Sequence, residues 1–147
     1  MATVRGCNLP DELLYDVQSH IWFQEVGDGN VRVGMTAVAT AMAGRLVAYT
    51  PKGIGKEVKA GKSCATVESG KWVGPAKVAA GGTVVEVNEA LVATPSLAND
   101  DPYGRGWLMV IKPEDWAAVK PTLVRGSEVA APYEAKMAAD GFAGCGG

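Results

Sequence analysis

Two β-like runs that meet at a short turn constrain the fold of this chain most. Residues 63–69 and 72–78 lead into and out of a Ser-Gly turn, and Lys71 follows that turn directly. This pattern predicts a β-hairpin with the lysine at its tip, held away from the body of the protein. Its amine is then a fixed point to which a cofactor could be joined by an amide bond. The alternative is an ordinary solvated surface lysine.

The remaining pattern is typical of a mostly β chain with few helices. Further strands are predicted over 21–26, 31–35, 45–50, 83–87 and 107–112, where apolar and β-branched runs are bounded by turn residues. A short helix is predicted over 37–43, because Thr36 suits its N-cap and Gly44 the position after its last turn. Two helices are expected to follow, one from 113 onwards and one over 127–141, docked on the sheets or on a partner.

Composition is that of an ordinary globular protein with one domain. The chain has 147 residues, which is long enough to bury a hydrophobic core. Its net charge is −2. We expect a single domain over 1–147, with its core over about 14–116 and a C-terminal helical tail over about 113–141. No basic stripe is present, which excludes nucleic acid as an expected partner. The longest apolar run is too short to span a membrane. Residues 1–5 lack a signal core, so a cytoplasmic location is expected.

The three cysteines, Cys7, Cys64 and Cys145, are widely spaced. An odd number in a chain expected to be cytoplasmic argues against a disulfide framework. Cys7 and Cys145 lie in glycine-flanked terminal segments that we expect to be mobile. We interpret both as incidental reduced thiols, with sulfur-exchanging thiols as the alternative. Cys64 is expected to be a thiol packed in a sheet.

Nothing in the sequence has the pattern of a catalytic or metal site. His20 is the one histidine, and no cysteine pair stands at metal-ligand spacing from it. We interpret His20 as a structural histidine, with a catalytic role as the alternative. The chain is therefore expected not to be an enzyme, with no catalytic residues and no metal ligands.

Several spaced blocks carry a family resemblance. They are residues 20–22, 27–30, 33–36, 44–47, 67–71, 84–91 and 99–108. In order and spacing they resemble the H protein of the glycine cleavage system, over roughly 14–116. The resemblance implies a barrel-sandwich hybrid fold and lipoate attached covalently to Lys71. It also implies that Glu68 and Gly82 help lipoate-attaching enzymes recognise the hairpin.

The sequence also departs from the usual glycine cleavage pattern around the lysine. Gly70 and Trp72 replace the usual valine and alanine, and residues 73–78 lack the usual polar run. These changes, and the tail over residues 131–137, resemble the lipoate-binding proteins of sulfur-oxidising prokaryotes. That resemblance implies a carrier whose arm shuttles sulfur-bound intermediates to a heterodisulfide-reductase-like complex. Since such a carrier visits several enzymes, we expect a monomer. The alternative is the glycine cleavage H protein, carrying an aminomethyl group between glycine decarboxylase, aminomethyltransferase and dihydrolipoamide dehydrogenase.

Two residues beside the lysine have competing interpretations. The indole of Trp72 either contacts the arm or a partner, or packs back on the hairpin. The carboxylate of Glu68 either pairs weakly with the unmodified amine or serves recognition by lipoate-attaching enzymes, and we favour recognition because Gly82 is also in place. We count Lys71, Glu68, Gly82, Gly70 and Trp72 as the cofactor-binding residues.

Overall fold

A computed structural model describes residues 1–145 of the chain. The strands are Ala2–Val4 (β1), Cys7–Leu9 (β2), Leu14–Asp16 (β3), Ile21–Gly27 (β4), Asn30–Met35 (β5), Leu46–Pro51 (β6), Glu57–Val58 (β7), Lys62–Ser69 (β8), Val73–Val78 (β9), Gly82–Val87 (β10), Met109–Pro113 (β11) and Val124–Arg125 (β12). The helices are Ala37–Ala43 (α1), Glu89–Ala93 (α2), Leu97–Asp100 (α3), Trp116–Val119 (α4) and Ala130–Ala139 (α5). The mostly β expectation is confirmed.

Two antiparallel sheets form the sandwich, and a separate hairpin lies beside them. The larger sheet has seven strands in the order β12-β3-β4-β5-β11-β10-β7, and the smaller has three in the order β6-β8-β9. β1 and β2 pair only with each other. Between the two sheets lies a buried apolar cluster to which Phe23, Val33, Val67, Val84 and Ile111 contribute. Burial of these side chains from both sheets holds the sandwich together.

The β4–β5 hairpin and α1 form where local chemistry predicts them. Asp28 and Gly29 turn the hairpin with φ of 55° and 77°, the left-handed conformation that Asp-Gly turns favour. The hydroxyl of Thr36 accepts a hydrogen bond from the Ala39 N–H, which caps α1. At the other end Gly44 adopts a φ of 88°, and its N–H donates to the Thr40 carbonyl. Both expected ends of this helix are therefore confirmed.

The C-terminal helix docks on the sandwich. Tyr133 and Met137 of α5 are buried in a second apolar cluster, which also contains Leu9, Tyr15 and Trp22. This cluster lies on the side of β3 and β4 away from the space between the sheets, because neighbouring strand residues face opposite sides. Docking of the tail on the sandwich, one of the two expected arrangements, is confirmed.

The expectation of reduced, mobile thiols at the two ends is wrong. Cys7 is fully buried in β2 and forms a disulfide with Cys145, 138 residues away in sequence. The two chain ends meet because α5 packs on β1 and returns the segment after it to the N-terminal hairpin, where the Cys145 N–H donates to the Arg5 carbonyl. Sequence spacing gives no sign of this approach, since it depends on the docking of α5.

Cys64 behaves as expected for a packed thiol. It is a free cysteine, fully buried in β8. Burial raises the pKa of its thiol to about 12, because the apolar surroundings disfavour the thiolate. Cys64 therefore stays protonated and unreactive at neutral pH.

The short elements differ most from expectation. The three strands β1, β2 and β3 were not expected, and neither was α2. The helix expected from 113 is a single turn starting at Trp116, where the Asp115 carboxylate caps the N–H of Ala118. The last helix starts at Ala130 after a 3₁₀ turn, and Gly141, with a φ of 65°, follows its end. Within residues 1–145, no helix has the length and apolar character needed to cross a bilayer.

Candidate cofactor-attachment site

Lys71 lies at the tip of the β8–β9 hairpin, as predicted. Glu68 pairs with Val73 at the end of the ladder, and the Ser69 N–H donates to the Trp72 carbonyl at 2.7 Å. The turn therefore leaves only three residues, Gly70, Lys71 and Trp72, between the two strands. The Lys71 side chain is exposed, which is the access an enzyme needs to modify its amine.

Ser69 is a site residue that we did not single out from the sequence. Its side chain is buried, and its hydroxyl accepts a hydrogen bond from the Lys71 N–H at 3.3 Å and donates one to the Trp72 carbonyl at 3.4 Å. The hydroxyl thus fixes the backbone on both sides of the tip, a common use of serine in turns. The sequence signal that could have identified Ser69 as a site residue is its position two residues before Lys71.

The side chain of Lys71 lies along the end of α1. A Cβ built at Gly44 would fall 3.0 Å from Cε and 3.7 Å from Nζ of Lys71. A glycine at this position therefore has two uses: it allows the positive φ that ends α1, and it leaves room for the lysine stem. The carbonyl end of a helix also favours a nearby cation.

An apolar pocket of about 470 Å³ opens beside the lysine. Its lining consists of Ser19, His20, Ile21, Met35, Ala39, Met42, Ala43, Lys71, Trp72, Pro75 and Ala76. α1 forms one wall, the start of β4 a second, and β9 a third. Every one of these residues lies in the described part of the chain, and none is acidic. The pocket thus offers apolar contact, two polar side chains and the lysine itself.

His20 joins this pocket to the C-terminal helix. Its Nδ1 lies 3.0 Å from the hydroxyl of Tyr133, which lies 3.1 Å from Oγ1 of Thr36. Burial, and to a lesser degree the nearby Lys136 ammonium, lower the pKa of the His20 imidazole below its usual value, because both disfavour the charged ring. The imidazole is therefore neutral at pH 7. His20 has a hydrogen-bonded place in the fold, as the structural interpretation expects, and also a surface in the pocket.

Trp72 packs back on the hairpin and also lines the pocket. A Cβ built at Gly74 would lie 2.3 Å from Cζ2 of the Trp72 indole, so the ring packs directly against that glycine. The side chain stays 42% exposed. Packing on the hairpin, one of its two interpretations, is therefore confirmed. At Gly70, in contrast, a Cβ would meet open space, so its glycine is not required by a close neighbour.

The two expected recognition residues lie far apart and differ in exposure. Glu68 is exposed on β8, and within residues 1–145 it forms no ion pair with Lys71. Gly82 is buried at the start of β10, beyond the end of β9 that is remote from the turn. A Cβ there would fall 2.1 Å from the Lys112 carbonyl oxygen, so close strand packing by itself requires a glycine. Recognition through either residue stays a prediction.

The described residues offer no alternative metal-dependent site. Within 1–145, no group of three or more His, Cys, Asp or Glu side chains is placed to hold a metal ion.

Comparison with known proteins gives one consistent family. A sequence model of the family described as glycine cleavage H-protein matches residues 13–136. The chain is 53% identical to glycine cleavage system H protein 5 of Aquifex aeolicus (strain VF5) over 134 residues, covering 88% of this chain and 90% of that protein. It is 44% identical to H protein 2 of the same organism over 124 residues, covering 84% and 77%.

The fold agrees with that match. The crystal structure of a glycine cleavage system H protein from Mycobacterium marinum superposes with a TM-score of 0.74 at 35% identity, covering 88% of this chain and 99% of that one. The resemblance drawn from the spaced blocks and the barrel-sandwich fold are thereby confirmed, and the chain belongs to the glycine cleavage H-protein family.

Proposed function

We propose that this chain is a lipoyl carrier protein, with lipoate joined by an amide bond to Nζ of Lys71. The observation that carries the proposal is an exposed lysine at a rigid hairpin tip whose side chain also lines an apolar pocket. These residues fit a lipoyl group, because the accessible Lys71 amine can form the amide bond and the apolar walls of the pocket can hold the hydrocarbon chain of lipoate. When bound, the lipoyl group supplies two sulfur atoms that take up and release cargo.

The protein's own residues position the arm and shield it. The hydrogen bonds of Ser69 fix the backbone at the tip, and the groove over Gly44 gives the lysine stem a defined direction. Acylation removes the positive charge of Lys71, so that side chain can enter the apolar pocket without the cost of burying an ion. Attachment to one protein also raises the concentration of the cargo at each partner enzyme.

We further propose that the cargo is a sulfur-bound intermediate, delivered to a heterodisulfide-reductase-like complex. The support is the chemistry of the pocket. An aminomethyl group is an ammonium ion at neutral pH, and a sheltered ammonium needs an anionic partner. The lining supplies the neutral imidazole of His20, the hydroxyl of Ser19 and apolar side chains instead. Such a lining suits an uncharged or anionic end group better than a cation.

The second candidate is the H protein of glycine cleavage, carrying an aminomethyl group between glycine decarboxylase, aminomethyltransferase and dihydrolipoamide dehydrogenase. The comparisons favour it, because the matched relatives are named for that system. Those names also include H proteins 2 and 5 of one organism. Since one organism holds several H-type chains, membership of the family leaves room for a carrier with another cargo.

Other parts of the proposal concern partners and setting. Lipoate-attaching enzymes would approach the exposed turn, with the Glu68 carboxylate on the same hairpin as a recognition point. We propose a cytoplasmic monomer made of one carrier domain, with no catalytic residues of its own. The chemistry then belongs to the cofactor and to the partner enzymes.

The two cargoes are separated by an intact mass spectrum of lipoylated protein after incubation with glycine decarboxylase and glycine. We expect no aminomethyl loading, while a known H protein in the same reaction is loaded. A Met42→Glu variant, which adds a carboxylate at the partly exposed rim of the pocket, should gain stable loading relative to Met42→Gln. Stable aminomethyl loading of the wild-type protein would overturn the sulfur assignment and establish glycine cleavage.

A further inference from the structure

The hydrogen bonds of two buried hydroxyls favour one tautomer of His20. Oγ1 of Thr36 already accepts the Ala39 N–H, so its own proton must be donated elsewhere. Thr36 is fully buried, and its other partner is the hydroxyl oxygen of Tyr133 at 3.1 Å. Since buried donors are normally satisfied, Thr36 donates to Tyr133.

The Tyr133 hydroxyl in turn bonds to the imidazole of His20. Tyr133 is also fully buried, and its remaining partner is Nδ1 of His20 at 3.0 Å. The Tyr133 proton therefore goes to Nδ1, which is the acceptor. A neutral imidazole with an accepting Nδ1 carries its proton on Nε2. Thus the chain Thr36, Tyr133, His20 runs in one direction and ends in an N–H donor.

The other nitrogen of this ring is unpaired in the described part of the chain and not fully enclosed by the protein. Within residues 1–145, Nε2 of His20 has no hydrogen-bond partner, yet it is not one of the buried polar atoms left unsatisfied. It is thus the open nitrogen of a ring that lines the cavity beside Lys71. Burial and Lys136 keep the pKa of this imidazole below its usual value, which favours the neutral ring with its proton on one nitrogen.

Two contacts, one to the backbone of His20 and one to its ring, hold the imidazole in place. His20 adopts a left-handed φ of 57°, uncommon for a residue with a side chain, at the start of β4. Its carbonyl accepts a hydrogen bond from the Thr36 N–H at 3.1 Å. The Tyr133 ring, carried by α5, stacks on the imidazole with centroids 5.7 Å apart. The ring is therefore set by α1 and by the C-terminal helix together.

We infer that Nε2–H of His20 is a specificity-determining donor, which recognises an anionic sulfur or oxygen atom at the end of the cargo on the Lys71 arm. Tyr133 is the positioning residue, because its hydroxyl sets the tautomer. This inference rests on the proposed function, since it requires an arm on Lys71 that reaches the pocket. It assigns the C-terminal helix a role in cargo selection, beyond covering one face of the sandwich.

The tautomer is tested first, without any cofactor. Because the chain contains one histidine, a long-range ¹H–¹⁵N correlation spectrum of the unmodified protein reports His20 alone. We expect the Nε2–H tautomer in the wild-type protein and loss of that preference in Tyr133→Phe. The control is Tyr49→Phe, which removes another buried hydroxyl, bonded to the Leu108 carbonyl, and should leave the spectrum unchanged. An Nδ1–H tautomer in the wild-type protein would overturn the inference.

Recognition of the cargo is tested with sulfite on the lipoylated protein. The sulfite sulfur attacks one dithiolane sulfur, the ring S–S bond breaks, and the other sulfur leaves as a thiolate. The arm then ends in an anionic S-sulfonate, whose formation an intact mass spectrum verifies. We expect the His20 Nε2 resonance to shift and its proton to exchange more slowly with water. The shift should be absent in Lys71→Arg treated identically and reduced in Tyr133→Phe.

The possible failures are distinguishable. If the mass spectrum shows the sulfonate on the arm and the Nε2 signals stay unchanged, the inference is wrong and the lipoyl carrier stands. If lipoate is never attached at Lys71, the proposed function fails, and the inference fails with it.

Discussion

The disulfide between Cys7 and Cys145 should contribute strongly to stability, and it can be removed without touching the lysine hairpin. The crosslink joins residues 138 apart. On the chain-entropy relation, closing a loop of that length lowers the entropy of the unfolded chain by an amount worth about 5 kcal/mol at 25 °C. This is an upper value, because residual structure in the unfolded chain already restricts it.

Reduction should therefore lower the melting temperature markedly. For a domain of this size, each 1 kcal/mol corresponds to about 3–4 °C, so a loss of about 3–5 kcal/mol predicts a fall of about 10–20 °C. The assay is thermal unfolding followed by circular dichroism, with and without dithiothreitol. A Cys145→Ala variant should unfold at the temperature of the reduced wild-type protein, and reductant should not change it further.

Thiol titration in denaturant completes the test. One reactive thiol, from Cys64, is expected in the unreduced wild-type protein, and three after reduction. Three reactive thiols before reduction would refute the disulfide. A melting temperature that is unchanged by reductant, although the number of reactive thiols rises, would refute its contribution to stability.

Three further predictions follow from single side chains. Glu68→Ala should slow lipoylation while changing the free energy of unfolding by less than about 0.5 kcal/mol, and lipoylation at the wild-type rate would remove its recognition role. Gly82→Ala should destabilise the fold by about 1–3 kcal/mol in chemical denaturation, since its Cβ would meet the Lys112 carbonyl; unchanged stability would show that β11 moves aside. The lowered pKa of His20 means that the unfolded chain binds a proton near pH 6.5 that the native state does not. The stability due to neutral His20 is thus present above about pH 6.5 and lost as the pH falls. Between pH 7.5 and 5.5, the melting temperature should therefore decline more steeply in the wild-type protein than in His20→Asn. Equal slopes would contradict this.

Features encoded within a few residues could be predicted from the sequence. The Asp28-Gly29 turn, the cap of α1 by Thr36 and its end at Gly44 each depend on local chemistry, and each lies where expected. The lysine hairpin belongs to the same group, because its two strands are adjacent in sequence. The site could thus be located from one short segment of the chain.

Features that depend on distant segments could not be predicted. The disulfide joins residues 138 apart, and the hydrogen bond between His20 and Tyr133 spans 113. Both exist because α5 folds back over β1 and β4, which no local pattern indicates. The pocket likewise takes its walls from three separate elements. The sequence around His20 shows no partner for its imidazole, because the partner, Tyr133, lies near the other end of the chain.

The proposed carrier function depends most directly on the attachment of lipoate to Lys71. We would incubate the protein with a lipoate-attaching enzyme, lipoate and ATP, and measure the intact mass and the modified peptide. The wild-type protein and Lys77→Arg, which alters another exposed lysine of the same hairpin, should each gain one lipoyl group on the peptide that contains Lys71. Lys71→Arg should gain none and keep its fold. A lipoyl group on Lys71→Arg, or none on the wild-type protein while a known H protein is modified, would contradict the account.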